Sequence, residues 1–432
     1  MKTIRHYIIP VALLMALATQ AIAQDDGLIK NYRRNALATM MIYHPKDQFG
    51  YDVYKIFRDL PEQEKYDEHQ IGLRVIEETK ITGVKSGPGL YRQEYGKSVV
   101  LTQSEKEKNA KAILKLLNDA QVGNRMVAKW FGLSGEDINT ATFNTSLIEQ
   151  RGAYDVSALD ALKAQYTIDG AQALMATSDE LLEHTFVLVS DMMYITAEDR
   201  GEVAKGILNI FTDECGKRTV NQIVDAFTGF KVMTHTYLYQ LEWNDSIANE
   251  FFVKYYTDTP NPGKIKAFMN DKSLFRMKYV AQESCSYERT KIKDRYSRTE
   301  LLALITNRSI DKNIAKLQRT YPDFQVRTPV LSVETDAKGK NKIIKAAIGM
   351  KEGLDDVKSV KFSVVEPKMN PKTLKVEYEH VATVEPIKGQ IWDNRFNAIL
   401  EMDEGAELTG SSFKQTSGGT ILPGMLLVQD KK

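Results

Sequence analysis

The sequence predicts an α+β fold, built from repeated β-α-α units that form a sheet with helices on one face, followed by a C-terminal all-β domain of barrel or sandwich type. Runs typical of strands, each followed by two helical patterns, recur at a spacing of about 45 residues. Two short helices return the chain to the next strand in the opposite direction, which favours antiparallel neighbours over a doubly wound sheet. Past Pro322 the helical patterns end, and strand-like runs separated by turn residues replace them.

The N-terminus predicts a secretory signal. Lys2 and Arg5 precede an apolar run over 7–18, and Ala23 ends a small-residue site of the kind that signal peptidase cuts. The alternative is an uncleaved membrane anchor, but the run is shorter than the roughly 20 residues that cross a bilayer. We therefore expect residues 1–23 to be removed and the mature chain to be periplasmic or secreted.

Composition narrows the classes of protein. Of the 432 residues, 43% are hydrophobic and 27% are charged, which is ordinary for a soluble globular protein. Loss of Lys2 and Arg5 with the signal changes the formal net charge from +1 to −1. A near-neutral chain lacks the dense basic surface that nucleic-acid binding needs, so we expect no nucleic-acid partner. No other apolar run in the sequence is long enough to span a membrane.

The α+β region is assigned to 24–325, and breaks near 80–95 or 132–140 would divide it into two subdomains. A capping box of Ser104 and Glu107 starts its best-marked helix. The first predicted elements are strand 36–43, helix 49–60, strand 71–78, strand 96–102, helix 104–119 and helix 122–131.

Two runs in the middle of the chain open with His-Thr-aromatic, HTFVLVSDMMYI (184–195) and HTYLYQLEW (235–243). Together with the strand predicted at 275–287, they fall at similar intervals, so we expect three equivalent strands in one sheet. The helices predicted around them are 157–166, a segment ending near Glu183, two helices between Thr196 and residue 227, one capped by Asn244 or Asp245, one starting at Pro262, one near 299–306 and one capped by Ser309.

The C-terminal β-domain is assigned to 326–432, with the preferred boundary between 322 and 330. Its predicted strands are QVRTPVLSVE, KIIKAAIGM, VKSVKFSVVE, TLKVEYEHVATVE, QIWDNRF and an apolar strand in the tail SGGTILPGMLLV.

Searches for catalytic motifs are negative. The histidines that remain after signal removal form no HExxH or close pair, so the sequence predicts no metal site and no cofactor. Two SxxK matches, at Ser309 and Ser411, lack the companion KTG, and Ser309 is better explained as a helix cap. The span 89–98 has the wrong glycine spacing for a phosphate loop.

Three residues in the two HT runs are binding candidates. His184 and His235 each share a strand face with apolar residues, and such a histidine is either a hydrogen-bonded core residue or a ligand. Asp191 interrupts an apolar run on both faces. It marks either a bulge at Ser190 and Asp191 or a buried carboxylate with a partner and a functional role.

Two tryptophans complete the binding candidates. Trp243 lies in an aromatic-rich span, which offers stacking faces to a glycan or forms part of the core. Trp392 either lines a peptide-binding groove or packs in a β-core. Cys215 and Cys285 are the only cysteines, and in an oxidising compartment they allow one disulfide. Two cysteines are too few for a thiolate zinc cage.

Three segments, NYRRNALATMM, HTFVLVSDMMYI and the tail from IWDNRF to LPGMLL, resemble exported proteins of Bacteroidetes-type bacteria, a family with no known chemistry. The resemblance implies export and supplies no catalytic residue. With the negative motif searches, it favours a non-enzymatic binding or envelope-associated protein with an envelope-protein or glycan partner. The alternative is a hydrolase of envelope or dietary glycans or peptides, whose carboxylate and histidine groups only the fold brings together.

Overall fold

The computed structural model describes residues 35–61, 63–81, 101–135, 137–155, 180–196, 229–290, 296–335, 342–354, 361–370, 372, 376–398 and 408–430. Four predictions fall outside these residues: the signal peptide, most of the strand at 96–102, the helix at 157–166 and the two helices between Thr196 and residue 227.

The first part of the chain mixes strands and helices. Its strands are β1 Ala36–Tyr43, β2 Asp67–Glu68, β3 Val75–Glu77, β4 Thr185–Thr196, β5 Gly229–Leu241 and β6 Met277–Thr290. Its helices are α1 Gly50–Arg58, α2 Gln103–Asp119, α3 Val122–Trp130, α4 Ser146–Asp155, α5 Asp245–Lys254, α6 Pro262–Asn270 and α7 Arg298–Thr320.

These strands form one mixed sheet in the order β2-β1-β4-β5-β6, with β3 also paired to β1. β4, β5 and β6 are antiparallel neighbours, which confirms that the two HT runs and the strand after them share a sheet. The expectation of antiparallel pairing throughout is wrong, because β1 runs parallel to β2, β3 and β4. A parallel pair needs a long crossover, and the 141 residues that separate β1 from β4 supply one for that pair.

Helices cover both faces of this sheet, so the expectation of helices on one face is also wrong. One apolar core lies between the sheet and the helices α2, α3, α5 and α6. A second core lies on the opposite face, against α1 and α7. β4 is buried along nearly its whole length, and a strand buried on both sides needs cover on both sides.

The helix starts follow capping chemistry. α2 begins with a capping box formed by Thr102 and Glu105, two residues before the predicted pair of Ser104 and Glu107. The Asn244 side chain caps α5, and Pro262 occupies the first turn of α6, as the sequence predicts.

α7 is one helix of 23 residues, not the two that the sequence predicts. Its capping box is Ser297 with Glu300. Ser309, the predicted second cap, lies buried inside the helix, and its hydroxyl donates to the carbonyl of Thr306 at 3.0 Å. A serine that bonds one turn back is compatible with an unbroken helix, so the cap signal was misleading here.

The C-terminal part is antiparallel β structure, as predicted, and its six strands close in the order β10-β11-β8-β7-β12-β9 around their own apolar core. QIWDNRF is not a strand: Trp392 forms only an isolated bridge to Gly349. SSFKQTSG is a strand that the sequence reading missed. The strands are β7 Arg327–Thr335, β8 Lys342–Ala346, β9 Phe362–Met369, β10 Val376–Pro386, β11 Ser411–Gly418 and β12 Leu426–Gln429.

Candidate functional site

The sheet brings ionisable side chains from distant parts of the chain to one face. Side chains alternate between faces along a strand, so Asp191 follows Val187 and Val189 toward the core under α2 and α3. His235 on β5 is the direct register partner of Asp191. His44 directly follows the last residue of β1 and reaches the same carboxylate.

His44 joins two carboxylates. Its Nε2 lies 2.7 Å from Oδ1 of Asp191, and its Nδ1 contacts Oε2 of Glu78. His44 is 4% exposed and Asp191 1% exposed, whereas Glu78, just after β3, is 24% exposed. We refer to His44, Glu78, Asp191 and His235 as the ionic cluster. Three separate segments of the chain, at the ends of β1 and β3 and within β4, therefore meet at one imidazole.

Both contacts of the His44 ring require a proton. A neutral imidazole carries one N–H, so the second proton belongs either to a doubly protonated ring or to a carboxyl group of Asp191 or Glu78. Either arrangement leaves these three residues with one net negative charge. The ring has no nitrogen left over in this geometry for accepting a proton from a bound molecule.

The cluster continues across β5 into β6. Nδ1 of His235 lies 2.8 Å from Oγ of Ser284, its register partner on β6. His235 is buried, and the directly opposed side chains of a strand pair lie within roughly 5 Å of each other at Cβ, which places its ring beside Asp191. The structure therefore brings together two of the predicted binding residues, Asp191 and His235.

The phenol of Tyr237 borders the cluster on the same face of β5. Burial raises the pKa of Tyr237, and the negative charge of Asp191 raises it further. A hydrogen bond with the buried Asn109 of α2 acts in the opposite direction. Tyr237 is therefore a neutral hydroxyl at any physiological pH.

The space beside His44 is small. A cavity of about 10 Å³ lies between the ring and the start of α1, which is the room of about one water molecule. Asp47, Gln48 and Tyr194 are among the residues that line it. A sugar or a peptide group does not fit there in this conformation.

The turn from His44 to Gly50 fixes the start of α1. The amide of Asp47 donates to the carbonyl of His44, and the amide of Gly50 donates to the carbonyl of Asp47. A Cβ at Gly50 would lie 2.2 Å from the carbonyl oxygen of His44, so no other residue fits without moving the turn. The ionic cluster and this tight turn together set the position of α1.

α1 carries one exposed tyrosine, Tyr51, and one half-buried tyrosine, Tyr54, next to this turn. The rings of Tyr51 and Tyr54 stack at 6.3 Å between centroids, and Tyr43 lies 5.6 Å from Tyr54. The ammonium of Lys55 lies 4.2 Å above the Tyr51 ring. Tyr51 is 59% exposed. We call Tyr43, Tyr51, Tyr54 and Lys55 the tyrosine surface.

His184 does not join the ionic cluster. It precedes β4, seven residues before Asp191, and its Nδ1 lies 2.7 Å from the carbonyl of Glu180. His69 is likewise remote: its Nε2–H donates to the carbonyl of Met126, and burial lowers its pKa to about 3. The two histidines of the HT runs, His184 and His235, thus have different positions and partners.

The two candidate tryptophans lie in different environments. Trp243 is buried among aromatic rings, with Phe251 at 6.0 Å and Phe275 at 6.5 Å. Trp392 is half-buried in the C-terminal part, where its backbone N–H donates to Oγ of Ser411 and its carbonyl accepts from Met350. Neither indole is near the ionic cluster in the sheet.

Cys285 lies on the other face of the sheet. Its thiol is buried and donates to the carbonyl of Ser309 at 3.2 Å, and burial raises its pKa to about 11. Cys215 lies outside the described residues, so the disulfide remains a prediction. Within the described ranges, no group of three or more His, Cys, Asp or Glu side chains is arranged to hold a metal ion.

Sequence reasoning missed His44 and Glu78. They are separated by 34 residues, and His44 and Asp191 by 147 residues, so no local spacing connects them. One signal was present: both polar residues stand at the ends of predicted strands, and strand ends that meet at one sheet edge converge in space.

Comparisons of the chain with protein-family models, with curated proteins and with solved structures find no match. In the part of the chain that the structure describes, none of the helices has the length and apolar character to cross a membrane.

Proposed function

We propose that this is an exported binding or envelope-associated protein that contacts a glycan through the tyrosine surface. The observation that carries the proposal is the stacked pair of Tyr51, which is exposed, and Tyr54, which is half-buried, with Lys55 over the Tyr51 ring. Aromatic rings grouped around an exposed tyrosine are unusual on a protein surface and mark contact sites.

The ionic cluster supports a structural role beneath that surface. Both ring nitrogens of His44 contact carboxylates, and the cavity beside the ring has room for about one water molecule. A binding face works best on an element whose position is fixed by packing and by hydrogen bonds. The cluster and the turn that ends at Gly50 hold α1 in this way.

A glycan fits the chemistry of the tyrosine surface. Sugar rings present flat faces of C–H groups that pack on aromatic rings, and their hydroxyls accept hydrogen bonds from an ammonium or a phenol. Lys55 and the hydroxyls of Tyr51 and Tyr54 are such donors. A surface of three tyrosines and one lysine combines both kinds of contact without a deep pocket.

Export and architecture are part of the same proposal. The signal-like N-terminus and the resemblance to exported proteins support secretion, and envelope glycans are the ligands that such a protein meets. The order β5, α5, α6, β6 is a described example of the β-α-α unit, and we propose that the chain repeats it.

A binding titration tests the proposal. We expect soluble peptidoglycan fragments or dietary oligosaccharides to raise the thermal midpoint of the mature protein. At a ligand concentration of 100 times Kd, the free energy of unfolding should increase by about 2.7 kcal/mol. Tyr51→Ala should weaken binding by about tenfold or more, since a stacked aromatic contact contributes roughly 0.5–1.5 kcal/mol beyond its buried area.

Tyr279→Ala is the matched control, because Tyr279 is also an exposed tyrosine but lies on β6, away from α1. The control variant should bind as the parent does. Equal loss in both variants, or glycan binding that survives Tyr51→Ala and Tyr54→Ala together, would overturn the assignment of this surface.

The second candidate function is a hydrolase that uses the ionic cluster. The observation that favours it is the juxtaposition of Asp191 with both His44 and His235, because buried clusters of ionisable groups are typical of catalytic sites. Turnover of a glycan or peptide that Asp191→Asn abolishes while the variant stays folded, and that Tyr51→Ala leaves intact, would establish this candidate and reject the binding protein.

A further inference from the structure

A groove with basic walls lies between α2 and the segment that enters β6. Lys111 and Lys115 line one wall, and Lys272 and Arg276 line the other. The cavity measures about 370 Å³, which is within the range of small-molecule sites. Its charge is local, because the whole chain is nearly neutral.

The two walls are fixed to each other by hydrogen bonds. The side-chain amide of Asn118 on α2 donates to the carbonyl of Met277 and accepts from the amide of the same residue. At Gly123 on α3, an added Cβ would lie 2.3 Å from the carbonyl oxygen of Phe275, so these segments approach each other closely. The groove therefore exists before a ligand arrives, which lowers the entropy cost of binding.

The charge in the groove is not balanced. Asp119 pairs with Lys115 at 2.6 Å. Lys111, Lys272 and Arg276 have no ion pair within the ranges that the structure describes. The favourable interaction of basic residues with a helix C-terminus does not account for these cations, because the last turn of α2 contains no basic residue and Lys272 and Arg276 belong to another segment.

We infer that this groove binds a ligand bearing two adjacent phosphate groups. Two phosphates carry about three to four negative charges, which matches the three unbalanced cations. The guanidinium of Arg276 can bind two phosphate oxygens at once, and the lysines supply mobile point charges. Leu114 is the single apolar residue of the lining, so charge rather than stacking selects the ligand.

This inference does not rest on the proposed glycan function. The groove lies on α2 beside β6, whereas the tyrosine surface lies on α1 beside β1, and β4 and β5 separate those strands in the sheet. Substitutions in the groove should leave glycan binding unchanged, and Tyr51→Ala should leave phosphate binding unchanged. The experiments can therefore reject the phosphate site while supporting the glycan surface, or the reverse.

Calorimetric titration of the full mature chain with inorganic pyrophosphate tests the inference. We expect a Kd below about 1 mM at 50 mM salt and a loss of about tenfold or more at 200 mM, since charge pairing at an exposed site is strongly screened. The double variant Lys272→Gln, Arg276→Gln should bind at least about tenfold more weakly. Lys266→Gln, an exposed lysine on α6 outside the groove, is the control and should bind as the parent does.

Two further probes, lipid vesicles and citrate, complete the test. Vesicles of diacylglycerol pyrophosphate in phosphatidylcholine that bind through Lys272 and Arg276 would identify a lipid headgroup as the source of the phosphates. Pyrophosphate binding without vesicle binding would identify a free phosphate ligand. Citrate binding as tight as pyrophosphate would overturn the phosphate assignment. Pyrophosphate binding that the double variant retains would overturn the site.

Discussion

Near the middle of β4 and β5, the two faces of the central sheet hold different buried polar groups: ionisable side chains on one face and neutral ones on the other. On the face under α2 and α3, Asp191 and His235 join His44 in the ionic cluster. On the face under α7, Thr234 and Thr236 flank His235 in sequence but belong to a neutral network. Adjacent residues of β5 thus enter two different electrostatic environments.

The neutral network joins β5 to α7. The hydroxyl of Thr234 donates to Oγ of Ser309, and the amide of Asn313 donates to the carbonyl of Thr234 at 3.0 Å and to Oγ of Thr236 at 2.9 Å. On β4, the hydroxyl of Tyr194 lies 2.8 Å from Oγ of Thr306 in α7. Hydroxyls and amides both donate and accept, so such a network is satisfied without charge.

The neutral network and the ionic cluster connect different parts of the fold. Neutral hydrogen bonds hold α7 on the sheet along an extended apolar interface. The ionic cluster instead ties the ends of β1 and β3 to β4 through one imidazole. Each carboxylate of the ionic cluster depends on His44 for its charge balance. Removing one of them should therefore lower the free energy of unfolding more than removing one hydroxyl from the neutral network.

Asp191→Ala should produce the largest effect. It takes the carboxylate away from Nε2 of His44 and so removes a buried charge partner, which costs about 3–5 kcal/mol. Urea unfolding should show the corresponding fall in the free energy of unfolding. Ser190→Ala is the control, since Ser190 is the neighbouring buried residue on the neutral face and makes only a 3.4 Å contact with Thr236. A loss below about 1 kcal/mol for Asp191→Ala would contradict the structural role of the ionic cluster.

Asp311 is a second buried carboxylate, and its hydrogen-bond donor is an amide rather than a histidine. Gln63 donates to one of its oxygens at 3.1 Å, and the other oxygen has no hydrogen-bond partner among the described residues. Burial raises its pKa from 3.8 to about 6. The folded state therefore binds more protons than the unfolded state between these values, and stability falls as pH rises through this window.

Asp311→Asn should remove this pH dependence. The ionised carboxylate destabilises the folded protein by about 3 kcal/mol above pH 6, and a neutral amide avoids most of that cost. We expect the variant to be more stable than the parent by about 2 kcal/mol at pH 7 and equally stable near pH 4. Asp258→Asn, at an exposed carboxylate, should reproduce the pH profile of the parent. A variant with the parent's profile would show that Asp311 is ionised at little cost.

The neutral network should respond in smaller steps. Thr234→Val and Ser309→Ala each remove one hydroxyl and should cost about 1 kcal/mol in the free energy of unfolding. Because the two hydroxyls bond each other, the double variant should lose less than the sum of the single losses, with a coupling of at least about 0.5 kcal/mol. Strict additivity would mean that the bond between Thr234 and Ser309 contributes nothing.

Sequence reasoning found what local chemistry specifies. β1, the cap at Asn244, Pro262 in the first turn of α6 and the three long strands follow from propensity, capping and alternation. The parallel pairing of β1 and the second helical layer were missed, because they depend on contacts between residues far apart in the chain. For the same reason Asp191 and His235 were recognised as unusual, whereas His44, their partner at a strand end, was not.

Cys285→Ala should have the smallest effect. The thiol packs against α7 on the neutral face and donates one weak hydrogen bond to the carbonyl of Ser309, so its loss should cost about 1 kcal/mol or less. Because burial raises the pKa of this thiol to about 11, iodoacetamide at pH 8 should label it slowly in the folded protein and rapidly in urea. Failure to label in urea, with a mass 2 Da lower than that of the dithiol, would instead reveal the predicted bond to Cys215. Such a bond would require the thiol to leave Ser309, and the effect of the substitution would rise to that of a lost disulfide, about 2–5 kcal/mol.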